Sequence, residues 1–536
     1  MQNEKPNLDQ FFDLPNPGLR AYFAHTESGN QDDYRPPFWK GKSRQSVLDD
    51  WQKVFDTLGV KEKYPGLYDF EMDMKSKVGP LSIQQPLKNR MESIKSYYAK
   101  RPSVPISKDA IHATCKQFGK AGGIRLRSLE STAANMRLNT NSGVWKFTKR
   151  RRVLDETLKA KIRSDGKTMT ITSHGKEYRN AAILGWRGQE GGIHDDDVKQ
   201  RVVFMCSFVQ NVHELRFYQP AIQAFQKHNL IPAFVSMDAV DREITKLFAT
   251  KNPNDVVVCT DFTKFDQHFN SDMQNAAAEV INYLAPSAKQ WLEEVFPLKF
   301  YVPLICSEQI MFTGPHGMGS GSGGTNFDEC MAHKALQHEA ALSHGQKLNP
   351  HSMAYGDDGI ITYTGVTVEQ VIETYTKHGQ EMNDQKQYVS THDCIFLRRW
   401  HSTSYTKDGV MVGVYSTFRA LGRLLGQERF YDPDVWGPQQ VTLRAWSIIE
   451  NCNHSPYFEQ FVDFVIKGDK FRLGLDIPGF IDNIVEVAKK SIDQLPDFMG
   501  YTKTLQNTPE DIARGIKGWR IYQYLVHKKE GAKHGN

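Results

Sequence analysis

The 536 residues, 61.2 kDa, allow roughly three or four domains or subdomains, and 39% hydrophobic, 11% aromatic and 24% charged residues exclude the disordered, collagenous and disulfide-scaffold classes. No apolar run reaches the roughly 18 residues of a membrane helix, the opening Met1-Gln-Asn-Glu-Lys-Pro6 has no export-signal character, and seven cysteines without CxxC spacing read as reduced thiols. A net charge of +5 says little about partners, but Lys146–Arg163 holds eight basic residues against two acidic ones, a local cationic excess larger than that of the whole chain.

Residues 1 to about 90 are rich in Pro, Asn and aromatics, with an amphipathic stretch from Val47 to Leu58, and read as an extension packed on the rest. Gly41-Lys42-Ser43 echoes a phosphate loop, but Pro36 stands where the first Gly belongs, so a P-loop is rejected. From Ile94 to Asn254 charged and apolar residues interleave, as on a cationic surface. Lys149–Arg152 suits either a nuclear-import signal or RNA phosphates, and the neighbouring basic segments favour RNA. Asp195–Asp197 reads as a solvated turn, and Lys199-Gln-Arg-Val-Val-Phe204 as an exposed strand with a cationic face.

Val256 to Arg399 has the texture of an α+β core. The β-branched run Val256–Thr260 predicts a buried strand that delivers Asp261 to its end, with Asp266 five residues on. Gly319-Ser-Gly-Ser-Gly-Gly324 satisfies GxGxxG, yet the acid a dinucleotide fold needs about 20 residues later would be Glu339, inside a helix predicted over 325–342. The glycines instead suit close backbone approach and a loop able to flex. Ser352 to Tyr363 has two apolar arms around Gly356-Asp357-Asp358-Gly359, and Asp-Gly between such arms predicts a hairpin with both acids on its turn. Two carboxylates about 4 Å apart repel by roughly 4 kcal/mol at an effective dielectric of 20. Were Asp261 to join them, the three hard-oxygen donors would suit Mg²⁺ or Mn²⁺, and two such ions can serve a phosphoryl transfer. Histidines such as His333 and His338 lack zinc spacing. After Trp400 the apolar spacing is helical, as at Phe458, Phe461, Val462, Val465 and Ile466, and the chain closes on a polar tail.

Taken in order, these segments resemble the motifs of viral RNA-directed RNA polymerases. Asp261-Phe-Thr-Lys-Phe-Asp266 resembles motif A, Gly317–Asn326 motif B and Tyr355-Gly-Asp-Asp358 motif C. Arg187 with Lys199–Phe204 resembles motif F, Asn141–Trp145 motif G, Gly379–Lys386 motif D and Phe396–Arg399 motif E. Length and wording are most like the enzymes of double-stranded RNA viruses, picobirnaviruses above all, with partitiviruses as relatives. The resemblance implies an α+β right hand whose antiparallel palm sheet is flanked by helices. Fingers would span 91–255 and 270–310, palm 256–269 and 311–400, thumb and tail 401–536, and residues 1–90 would pack on or bridge fingers and thumb.

It also implies roles. Asp261, Asp357 and Asp358 would be catalytic and hold two Mg²⁺ or Mn²⁺ ions, with Asp358 tuning the cluster. Lys386 would protonate the leaving pyrophosphate, and Arg187, Lys199 and Arg201 would border the triphosphate. Ser320 and Gly321 would line a moving loop, while Thr325 and Asn326 would help Asp266 hold the ribose. The family's usual Asn position is here Glu329. Implied partners are template and nascent RNA, ribonucleoside triphosphates and a capsid protein, without a membrane, inside a virion and in host cytoplasm, with chains begun without a primer. A reverse transcriptase would carry an aromatic in place of Asp266 and lack Gly356. A non-catalytic RNA-binding virion protein would need no convergent acids.

Overall fold

In the computed structural model, residues 2–491 and 513–535 are described. The β-branched run forms the strand Val257–Thr260, buried at all four positions. It lies inside a four-stranded antiparallel sheet in the order Met353–Tyr355, Asp358–Ile361, Val257–Thr260, Tyr388–Ser390. Burial on both faces explains why this strand is continuously apolar instead of alternating. The helices Ser271–Leu284 and Thr325–Leu342 share its core through Met273, Ala277, Val280, Met331, Ala335 and Leu336. Thr325–Leu342 has the predicted bounds. On the other side stands a three-stranded sheet, Asp393–Phe396, Arg399–Ser402 and Val414–Tyr415.

A five-stranded sheet carries Arg187, Lys199 and Arg201, in the order Gln2–Glu4, Met311–Thr313, Leu304–Ile305, Ala182–Gln189, Lys199–Met205. The expected boundary at 311 falls inside this sheet, because Met311–Thr313 pairs with Leu304–Ile305 and not with the acid-bearing strands.

The first 80 residues touch both ends of the molecule. Phe11, Phe12, Leu19 and Phe23 pack with Trp145, Ile171 and Ile183. Farther on, Ser43 caps the helix Arg44–Asp56 by accepting from the Ser46 N–H, so Gly41-Lys42-Ser43 begins a helix. That helix and Pro65–Lys77 bury Trp51, Phe55, Leu67 and Phe70 in one core with Phe418, Leu421, Phe461 and Val465. Asp195–Asp197 is an exposed 3₁₀ turn. Arg520–His534 is a helix with Ile521 and Leu525 buried, begun where Glu450 accepts from the Arg520 and Ile521 N–H groups at 3.0 and 3.1 Å, and the polar tail from His527 forms its unburied last turns.

Candidate active site

Antiparallel register brings the acids together. Thr260 faces Gly359 and Cys259 faces Ile360, so one further step sets Asp261 opposite Asp358. The hairpin turn differs from expectation by one residue. Tyr355 pairs with Asp358, leaving Gly356 and Asp357 as the corners, so Asp358 begins a strand and Asp357 alone occupies the turn. Gly356 has φ of 60°, and Gly first with a positive φ there is the signature of a II′ hairpin.

Each acid is held differently. Gln387 clasps the Asp261 backbone, accepting from its N–H and donating to its carbonyl, both at 2.8 Å. Asp358 turns one oxygen to the Leu397 N–H at 2.8 Å, on the Phe396–Arg399 hairpin. Asp261 and Asp357 remain reachable by solvent, yet surrounding protein desolvates both enough to raise their carboxyls. For Asp357 the Asp266 charge adds to this, against Arg201 and Arg398. Burial, then Asp357, pushes Asp358 up to about 7. Among the described residues no three His, Cys, Asp or Glu side chains already stand as the ligand set of one ion.

The Gly-rich segment lies between this corner and the cationic strand. Ser320 donates to the Val202 carbonyl at 3.0 Å, and a Cβ on Gly321 would lie 1.8 Å from the Phe204 carbonyl oxygen. The Thr325 hydroxyl bonds the loop's own Gly319 and Ser322 carbonyls, both at 3.3 Å. Asn326 sits against the turn, its Oδ1 3.1 Å from where a Gly356 Cβ would be. The side chain that meets Asp266 is Glu329. Burial, then the Asp266 charge and a side-chain hydrogen bond with Asp266, raise its carboxyl well above the ordinary range.

Cations border the acids. Arg187 and Arg201 are directly opposed across their ladder, as are Gln189 and Lys199. Two like charges at one ladder position are unfavourable without an anion. Arg201 acts on Asp357, while Arg187 lies 3.7 Å from Glu428. Lys386 is exposed on the 3₁₀ turn Asp384–Lys386 and acts on Asp261.

Three contributors escaped the sequence reading. Lys77, at the end of the N-terminal helix Pro65–Lys77, acts on Asp261. Arg398 acts on Asp357 and Asp358 from a turn where it and Leu397 have φ of 60° and 53°. His333 supports the corner from below, its Nδ1 2.9 Å from the Gly356 carbonyl. Only the Arg of Phe396-Leu-Arg-Arg399 carried a local signal. The other two depend on contacts remote in sequence.

A family model described as viral RNA-dependent RNA polymerase covers residues 153–412. A potential RNA-dependent RNA polymerase of human picobirnavirus (strain Human/Thailand/Hy005102/-) is 51% identical over 98% of this chain and 99% of its own. The crystal structure of the RNA-dependent RNA polymerase of a human picobirnavirus superposes with a TM-score of 0.92 at 51% identity, over 97% of this chain and 98% of that one. An insertion-loop deletion mutant of such an enzyme gives 0.89 at 49% identity, with the same coverage. By sequence over nearly its whole length and by its right-hand fold, the chain belongs to the viral RNA-dependent RNA polymerases and resembles those of picobirnaviruses.

Proposed function

We propose that this RNA-dependent RNA polymerase joins nucleotides at the corner formed by Asp261, Asp357 and Asp358. The observation that carries the reading is the register that sets Asp261 opposite Asp358 with Asp357 on the adjoining turn. The donor set fits Mg²⁺ or Mn²⁺: hard carboxylate oxygens, all three raised first by burial, with Asp358 raised further by Asp357 and Asp261. Asp261 and Asp357 would hold two ions, with Asp358 adjusting their charge. When bound, such ions supply Lewis-acid stabilisation of the transferring phosphoryl group. Arg201, Arg187 and Lys199 receive the triphosphate, whose charge relieves the opposed arginines. Lys386, next to Asp261, delivers a proton to departing pyrophosphate. Asp266, paired with Glu329, accepts from the ribose 2′-hydroxyl, with Thr325 and Asn326 shaping the same wall and Ser320 and Gly321 facing template.

Fingers are assigned to about 91–255 and 270–310, palm to 256–269 and from about 314 to 400, and thumb from 401. Residues 1–90 bridge fingers and thumb, which the two shared cores support. Work inside a virion and host cytoplasm, beside a capsid protein, belongs to the same reading. No helix among the described residues is long and apolar enough to cross a membrane.

The test is purified protein with a defined RNA template, ribonucleotides and Mg²⁺ or Mn²⁺. Asp357→Asn is expected to lower synthesis by on the order of 10² to 10³ or more, with RNA affinity within about twofold of wild type. Synthesis at the wild-type rate in Asp357→Asn would remove Asp357 from the chemistry. Asp266→Ala should reduce discrimination against deoxynucleotides by about tenfold or more, the worth of one charge-assisted hydrogen bond. Unchanged discrimination would take the ribose away from Asp266.

A further inference from the structure

Lys299 sits on a 3₁₀ turn, Phe296–Phe300, with its side chain fully buried. Its Nζ donates to Asp328 Oδ2 at 2.7 Å and to the Tyr218 hydroxyl at 2.8 Å, and lies 3.9 Å from Glu214 Oε2. Tyr218 in turn donates to Asp328. Glu214 and Tyr218 occupy successive turns of the helix Phe208–Lys227, and Asp328 the first turn of Thr325–Leu342. One ammonium is therefore shared by two carboxylates that have no exposure to water, one positive charge against two acids. A buried charge with so few partners costs several kcal/mol in general and persists only where geometry satisfies it.

This cluster does not touch the reacting groups, yet the Gly-rich loop rests on it. The Ser322 hydroxyl and the Gly323 N–H both donate to Glu214. Gly319 passes over Lys299 so closely that a Cβ there would lie 2.6 Å from the Lys299 carbonyl oxygen, and one on Gly324 would fall 2.0 Å from the Tyr218 ring. Asn211, with its amide oriented to satisfy both neighbours, donates to Glu214 at 3.0 Å and accepts from Arg150 at 2.9 Å, which ties the cluster to the Lys149–Arg152 segment.

We propose that Lys299, Glu214 and Asp328 form a buried ionic seat that holds the Gly317–Gly324 loop in its nucleotide-receiving shape, with Ser322 and Gly323 as the contacts that dock and undock. These are positioning residues for nucleotide binding. The proposal rests on the reading that Ser320 and Gly321 face template and that Thr325 and Asn326 border the ribose. A loop that leaves its seat lowers the competent fraction, and apparent affinity falls by that fraction.

The experiment uses full-length protein on a primed RNA template, with wild type and Asp357→Asn run alongside. Ser322→Ala deletes the docking hydroxyl while all buried charges stay paired, and Ser322→Thr restores a hydroxyl. Expected is a rise of about tenfold in KM for ribonucleotide in Ser322→Ala, with kcat within about twofold, an unchanged melting temperature, and recovery in Ser322→Thr. An unchanged KM in Ser322→Ala overturns the seat, as does an equal rise in Ser322→Thr, or a fall in melting temperature without a kinetic effect. A wild type that makes no RNA, or an active Asp357→Asn, instead fails the reading of the catalytic corner.

Discussion

Gly356 and Gly359 flank the paired acids for different reasons. Gly356 turns the chain with a positive φ, which a side chain makes costly by about 1 to 2 kcal/mol. Gly359 has ordinary backbone but no space: a Cβ would lie 2.7 Å from Thr260 Oγ1 and 2.7 Å from His333 Cε1. Gly359→Ala is therefore expected to cost about 1 to 3 kcal/mol by overpacking and to push His333 off the Gly356 carbonyl, with synthesis falling alongside stability. Denaturant unfolding and steady-state synthesis on the same preparations check this, and wild-type values for both would show that His333 yields freely. The turn also shows where local reading stops. Gly-Asp and Asp-Gly are both good hairpin corners, and only pairing with Val257–Thr260, nearly a hundred residues away, selects Gly356-Asp357. The Leu397-Arg398 corner, expected as a hairpin only through the resemblance of Phe396–Arg399 to motif E, carried no local signal for a related reason. Nothing in a Leu-Arg pair announces left-handed backbone, which costs of order 1 kcal/mol per residue or more and is held here by the Leu397 bond to Asp358.

The helix Thr325–Leu342 was legible in its bounds, because its apolar residues repeat at helical spacing up to a loop of glycines. Its polar face was not, since the acceptors it serves are backbone carbonyls of the hairpin. Cys330, His333, Lys334 and Gln337 recur at i, i+3, i+4 and i+7 and turn toward residues 352–360. Lys334 donates to the Ser352 carbonyl at 2.6 Å and to Gln337 Oε1 at 2.7 Å, while Gln337 donates to the Met353 carbonyl at 2.8 Å. Burial pulls the Lys334 amine down to about 7. A neutral amine has two protons, and both are used. Since the folded value lies below the ordinary value of 10.5, the unfolded chain binds the extra proton between the two. Stability therefore rises with pH from about 7 toward 10 on this account, by at most about 1.4 kcal/mol per pH unit, and the full cost of the buried charge is present below 7. Lys334→Met lacks this titration. The stability of wild type relative to Lys334→Met should increase between pH 7 and pH 9 in parallel denaturant melts, and a difference that stays flat would mean that the amine is charged in the fold.

At the scale of the whole molecule, the N-terminal 80 residues are a strap whose two ends lie in different cores. The amphipathic stretch near Val47 predicted a helix, and Arg44–Asp56 is one. Its partner surface, more than 350 residues downstream, leaves no trace in local periodicity. There the Trp51 Nε1 donates to Thr417 Oγ1 at 3.0 Å, and its ring meets Phe461 edge-on at 5.1 Å. Buried Glu71 accepts from the Thr417 N–H at 3.1 Å and from the Tyr457 hydroxyl at 2.9 Å. The strap then reaches the cationic hairpin, where a Cβ on Gly79 would lie 1.7 Å from the Gly192 carbonyl oxygen and Lys77 acts on Asp261. Anchorage at Trp51 thus holds the end of a helix that borders the acidic corner. Trp51→Ala removes a wholly buried ring and leaves Thr417 one partner short, a loss of about 3 to 5 kcal/mol. The expected outcome is a lower unfolding midpoint together with faster proteolytic cleavage within residues 40–80, and Trp51→Phe should recover much of the packing but not the Thr417 bond. If Trp51→Ala cost under about 1 kcal/mol, and cleavage were no faster than in wild type, the strap would be an appendage resting on the thumb and Lys77 would owe its place to the Gly79 contact alone.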